Sequence, residues 1–280
     1  MQISRKSFIR VLGTSAIGSS LMTRISQANS VESVISTDLA ARLGLASYSL
    51  RSFSLDEVID TMKKLNLKHV AIKSMHLPLD TPDDEIKQIA KKVRDSGLIF
   101  YGVGVVYMKT PEEVQNAFRY AKAAGVETII GVPNHELLPQ VNELVKKTNI
   151  KVAIHNHGPG DEMYPSPESI MMKIKDLDKR IGVCLDIGHA VRIGLDPAKE
   201  AKRCGDRLYD MHLKDVNVAA TEGGSVEMGR GVIDLPGFLH TLSKLNYQGV
   251  LGLEYEKDGD DPFLGLAESV GYCRGLMESM

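Results

Sequence analysis

The chain has 280 residues, 43% hydrophobic and 25% charged, which is enough to bury one large core. A formal net charge of −2 leaves no basic field to hold nucleic acid by its phosphates. The three cysteines, Cys184, Cys204 and Cys273, are widely spaced with no CxxC pair, so they make neither a zinc framework nor a full disulfide scaffold.

The first 28 residues differ in kind from the rest. Arg5, Lys6 and Arg10 precede a mildly apolar stretch from Val11 to Met22, and Ser26-Gln27-Ala28 then supplies a small-x-small cleavage pattern. This is the order of an export signal, and its apolar part is too short to span a bilayer as a helix. Residues Ser4 to Arg10 also resemble a twin-arginine signal, with Lys6 where the second arginine would stand. The reading is therefore an exported, periplasmic protein without a stable membrane anchor, residues 1–28 being removed and 29–42 serving as a linker. The signal holds four basic side chains (Arg5, Lys6, Arg10, Arg24) and no acidic one, so its loss takes the formal charge from −2 to −6.

From residue 43 onward, short apolar runs alternate with longer amphipathic stretches. Leu43–Leu50 is the first run, and Ser54 then opens a helix with Glu57 three residues on, a capping box. The run His69–Met75 precedes a helix starting at Thr81-Pro82, and Ile99–Tyr107 precedes one starting at Thr110-Pro111. Next come the run Thr128–Val132, a helix over Glu136–Asn149, the run Lys151–His155 and a helix after Ser166-Pro167. Gly182–Asp186, a helix over Asp196–Gly205, Leu208–Leu213, a helix after Asp234 and Gly249–Tyr255 complete the series. The runs lack strict alternation, as expected for strands covered on both faces. Eight strands alternating with helices require parallel pairing, and without a glycine-rich phosphate loop after the first strand a closed (β/α)8 TIM barrel over 43–280 fits best.

In such a barrel the chemistry sits at the C-terminal strand ends. The last four strands each carry an ionisable group there: His155, Asp186, His212 and Glu254. Buried charges and imidazoles need compensation, and a divalent cation supplies it. Two imidazoles and two carboxylates suit Mn2+, Zn2+, Co2+ or Fe2+ better than Ca2+. Lys73 and His76 follow the second strand, where Lys73 is a candidate to stabilise an enolate or protonate a leaving oxygen. Tyr48, Arg51 and Tyr107 are candidates for contacts to substrate hydroxyls, with His157, Glu256 and Lys214 nearby; Lys214 would bind an anion or pair with Asp215. Arg230 lies in a glycine-flanked loop that would close over the substrate.

At Cys184-Leu185-Asp186-Ile187-Gly188-His189, His212-Leu213-Lys214-Asp215, Gly229–Asp234 and Gly252-Leu253-Glu254, the chain resembles the sugar isomerase/epimerase superfamily of xylose isomerase-like TIM barrels, which includes ketose 3-epimerases and inosose dehydratase. The resemblance implies that Asp186, His212 and Glu254 bind a metal (Mn2+, Zn2+, Co2+ or Mg2+) and that His189 lies near the substrate. It departs on the fifth strand, where relatives carry a ligand glutamate and this chain has His155-Asn156-His157. The expected function is a metal-dependent sugar isomerase or epimerase abstracting a proton next to a carbonyl, with Glu254 as base and His189 and Lys73 assisting. A dehydratase or lyase that expels a β-oxygen from a keto-sugar or keto-glycoside is the alternative, favoured by the missing glutamate. A non-catalytic carbohydrate-binding barrel is the third reading. The expected partner is a small carbohydrate, with no nucleic acid; homo-oligomerisation stays open.

Overall fold

A computed structural model describes residues 39–280. The export signal read over 1–28, and the linker up to residue 38, lie outside the described residues. Packing begins at Leu39, buried in the core just before a short 3-10 turn, Ala40–Arg42.

Eight parallel strands close into a barrel. They are β1 (Leu43–Ala46), β2 (His69–Ile72), β3 (Ile99–Met108), β4 (Thr128–Pro133), β5 (Lys151–His155), β6 (Ile181–Asp186), β7 (Leu208–Leu213) and, as the eighth, β10 (Leu251–Leu253). Each strand pairs with its sequence neighbours in the barrel, and β10 closes against β1 with Gly44 opposite Gly252. A two-stranded antiparallel ribbon, β8 (Asp215–Val216) and β9 (Ser225–Val226), projects after β7.

The helix starts follow local chemistry. Helix α1 (Leu55–Lys64) has the full Ser54/Glu57 capping box, and α3 (Pro111–Ala124) has the Thr110/Glu113 equivalent. Helix α2 (Asp83–Asp95) starts one residue later than its sequence suggests: Pro82 is the N-cap and no side chain caps it. Helix α4 (Leu138–Thr148) follows a 3-10 turn, and Ser166 caps α5 (Pro167–Ile174). Asp186 caps a one-and-a-half-turn helix α6 (Ile187–Arg192), which the sequence pattern does not announce. Asp196 caps α7 (Pro197–Cys204), Asp234 caps α8 (Leu235–Lys244), and α9 (Phe263–Glu278) closes the ring.

The expected first, second and last strands are each longer than the observed ones. After Ala46 the chain turns into a 3-10 helix, Ser47–Leu50, which brings Ser49 against β10. The Ser49 hydroxyl donates to Leu253 O (3.2 Å) and accepts from Tyr255 N (2.9 Å). Those two bonds flank Glu254 and fix where its side chain leaves the barrel wall.

Candidate active site

Strand pairing sets the ligand heights. Asp186 lies opposite His212 on neighbouring strands, and Gly252 lies opposite His212, which puts Glu254 one step above. Side chains two apart on a strand share a face, so Asp186 and His212 have Cys184 and Asp210 directly beneath them. The barrel interior thus carries two polar layers.

In the upper layer, one ligand atom from each of His155, Asp186, His212 and Glu254 lies within 4.8 Å of all the others, and all four residues are buried. His155 Nε2 is 2.9 Å from His212 Nδ1, and His212 Nδ1 is 3.2 Å from Glu254 Oε2. Asp186 divides its carboxylate: Oδ1 accepts from His189 N (2.8 Å), capping α6, while Oδ2 faces the cluster, 3.6 Å from His155 Nε2. Asn156, buried, grips the backbone of the same residue from both sides, accepting from Asp186 N (3.0 Å) and donating to Asp186 O (3.2 Å). Two convergent imidazole nitrogens and two buried carboxylate oxygens form a donor set that fits a divalent transition metal or zinc.

Lys214 is the cluster's cation. Its ammonium lies 2.9 Å from Glu254 Oε2, 2.9 Å from Glu256 Oε1 and 3.1 Å from Asp186 Oδ2. Gly188 makes room for it, since a Cβ there would stand 2.9 Å from Lys214 Cγ and Cδ. Gly158, at φ +72°, likewise lets the β5 loop pass against the His189 carbonyl. Burial works against the ammonium, yet Asp186, Glu254 and Glu256 outweigh it and hold the Lys214 pKa well up. Burial also raises the two carboxylates, but His212 and Lys214 pull Glu254 well below its ordinary range, and His189 and Lys214 do the same for Asp186. His155 stays neutral because burial holds its pKa well down.

The lower layer is quieter. Tyr101 Oη–H donates to Asp210 Oδ1 (3.2 Å) and Cys184 Sγ–H to Asp210 Oδ2 (3.5 Å). Burial pushes Asp210 up to about 6 and the Cys184 thiol well above its usual range. Cys184 is thus a protonated interior donor, although its sulfur also lies within 4.8 Å of His155 and His212 ring nitrogens.

Other sequence candidates divide. His189 reaches the cluster, with Nε2 3.8 Å from Asp186 Oδ2. His157 packs on His155 with ring centroids 4.4 Å apart, and the Tyr107 hydroxyl is 3.0 Å from His157 Nε2. Lys73 holds its ammonium 3.9 Å above the Tyr48 ring and feels the charges of Glu254, Lys214 and Glu256. Arg51 also lies over Tyr48 and donates to the Glu256 carbonyl (3.0 Å).

Three readings change. His76 is not brought to the site as a substrate contact, because both its nitrogens are engaged inside the protein: Nε2–H donates to Leu50 O (3.1 Å), which fixes Nδ1 as acceptor from the Ser47 hydroxyl (2.9 Å). Arg230 is exposed and pairs through Nε and Nη2 with Glu268 of α9. Its loop is no free flap, since Asp215 accepts from the backbone amides of Val216, Gly229, Gly231 and Ile233. That duty also takes Asp215 away from Lys214, its expected partner.

Sequence reasoning missed Asn156, Ser49 and Gly188. Asn156 had a signal in the His-Asn-His run; Ser49 had none, because its partners are more than 200 positions away.

Comparison with known proteins agrees with this architecture. Inosose dehydratase from Clostridium tetani is 29% identical over 137 residues, 43% of this chain and 45% of that protein. The chain's match thus spans about half the length of the curated relatives, including inosose dehydratase from Mesomycoplasma hyopneumoniae (strain J), 28% identical over 47% of this chain. Among solved structures, IOLI protein with a binding zinc atom superposes with a TM-score of 0.68 at 16% identity, covering 85% of this chain and 97% of that one. The family profile of the xylose isomerase-like TIM barrel matches residues 39–276, which together with the closed eight-stranded barrel shows that the chain belongs to that family.

Proposed function

We propose that the protein is a divalent-metal-dependent carbon–oxygen lyase that removes a proton next to the carbonyl of a keto-sugar or keto-glycoside and expels the β-oxygen. The observation that carries this reading is His155. Proton exchange between two faces of a sugar needs a base on each face, and where a carboxylate would face Glu254 β5 ends in a buried imidazole kept neutral by burial. The inosose dehydratase relatives support elimination as well.

His155, Asp186, His212 and Glu254 would hold the ion. When bound, it supplies Lewis acidity at the carbonyl oxygen. Glu254, ionised beside His212 and Lys214, takes the proton from carbon, and Lys214 holds the carboxylate in place. His189 Nε2 faces the same space and steadies the oxygen on which charge develops. As the C–O bond breaks, its electron pair leaves with the oxygen, which takes a proton from the Lys73 ammonium at the mouth.

Epimerisation is the second reading, favoured by the His157–Asp161 pair (3.3 Å) on the β5 side of the cluster, away from Glu254. Turnover of keto-sugars and keto-glycosides in D2O separates the two. Elimination gives an unsaturated product with ultraviolet absorbance; a saturated product carrying deuterium at carbon would reject the lyase in favour of the epimerase. Binding with no chemical change would leave only a carbohydrate-binding barrel.

A further inference from the structure

A row of four rings leads out of the site. From His212 to His155, His157 and Tyr107 the successive centroids are 4.7, 4.4 and 5.7 Å apart. Exposure rises along it, from a buried His212 and His155 through His157, 22% exposed, to Tyr107, 49% exposed. The row ends in a large aromatic at the rim, two rings beyond the buried His155 of the cluster.

Tyr107 is fixed there. Asp161 is immobilised by the amides of Met163 (2.7 Å) and Tyr164 (2.8 Å), and its Oδ2 lies 3.3 Å from His157 Nδ1. The Tyr107 hydroxyl shares a hydrogen bond with His157 Nε2 at 3.0 Å. The two rings lie stacked at an interplanar angle of 29°. Lys109, exposed, holds its ammonium over the Tyr107 ring at 5.9 Å from the centroid, the outer edge of cation–π range, where an incoming ring displaces a solvated side chain. A half-exposed tyrosine whose hydroxyl is bonded to His157 and whose ring is stacked on it loses little entropy on meeting a ligand.

We propose that Tyr107 is a stacking platform for the second ring of a glycoside, a sugar or an aryl aglycone attached to the sugar held at the cluster. This deepens the reading of the cluster as a sugar site and rests on it. The substrate class is therefore a glycoside, and a free monosaccharide would leave the rim unfilled. Tyr107 acts on specificity through its ring face, and His157 and Asp161 act by positioning it.

The test measures binding as well as turnover, on full-length protein loaded with Zn2+ or Mn2+. Titration calorimetry with methyl β-D-glucoside and phenyl β-D-glucoside, two inert probes, should show the phenyl glycoside binding about 10-fold more tightly. Tyr107→Ala should erase that preference while leaving methyl glucoside affinity and metal content unchanged, and Tyr107→Phe should keep most of it. Equal preference in wild type and Tyr107→Ala would overturn the platform. So would loss of turnover in Tyr107→Phe as complete as in Tyr107→Ala, since the hydroxyl would then be the working group. Failure of the lyase reading looks different: no sugar is converted, yet the aglycone preference in binding survives.

Discussion

The two mouths of the barrel are built on opposite principles. The N-terminal mouth holds a cavity of about 630 Å³, lined by Phe100, Tyr101, Tyr209, Arg94 and Lys151 among others. Its cations are not gathered on carboxylates: Arg94 donates to the carbonyls of Ala124 and Gly125, and Lys151 lies 5.0 Å over the Tyr209 ring. The C-terminal mouth concentrates three carboxylates, an ammonium and four imidazoles around one point. A cavity alone therefore does not locate the chemistry. Buried charge that the fold has gone out of its way to assemble does, because each such group is costly unless it has work and a partner.

The sharpest way to break this contrast is to remove a ligand at the crowded end. Asp186→Ala or His212→Ala should abolish both bound metal, by elemental analysis, and turnover, a loss of at least about 1,000-fold. Either variant retaining full metal content would put the ion elsewhere. Asp186→Asn keeps the α6 cap and so separates lost ligation from lost folding.

Lys214→Met asks what the ammonium does. Without it Glu254 and Asp186 face each other with less compensation, so turnover should fall about 100-fold while metal content is kept. A thermal melt checks folding, because stranding buried carboxylates costs about 3–5 kcal/mol. Unchanged turnover would make Lys214 a structural counter-charge alone. At the N-terminal mouth, Lys151→Ala should leave turnover within about twofold, as expected for a surface substitution far from the reacting groups; a large loss would mean that the two mouths are not separate in function.

Much of this contrast was legible in the sequence, and the reason is locality. Strand ends, capping boxes and the Asp186, His212 and Glu254 positions depend on neighbours a few residues away, so the pattern carries them. Lys214 stood among the candidates, but its role did not, because Asp186, Glu254 and Glu256 meet it only after the barrel closes. His76 misled for the same reason: its place in a strand-end loop looked functional, and only the fold shows Ser47 and Leu50 taking both nitrogens. Asp210 was invisible as an acid because Tyr101 and Cys184, which bury it, come from two other strands.

The smallest effect tests how the crowded mouth is braced. Glu227, after the ribbon, accepts from Lys257 Nζ (2.8 Å) and Tyr255 Oη (3.1 Å), tying the loop after β7 to the loop that follows Glu254. The Lys257 bond, the backbone and Tyr255 together pull Glu227 from its ordinary 4.5 down to about 2. A carboxyl depressed by folding stabilises the native state above its unfolded pKa, and that contribution is lost as pH falls through the folded value. Wild type should therefore be more stable than Glu227→Gln by about 1 kcal/mol at pH 7, kept small because Lys257 is partly exposed. The gap should shrink between pH 4.5 and 2. Urea denaturation of both proteins at pH 7 and pH 3 measures it. A gap that widens in acid would mean that the brace depends on some group other than the Glu227 carboxylate.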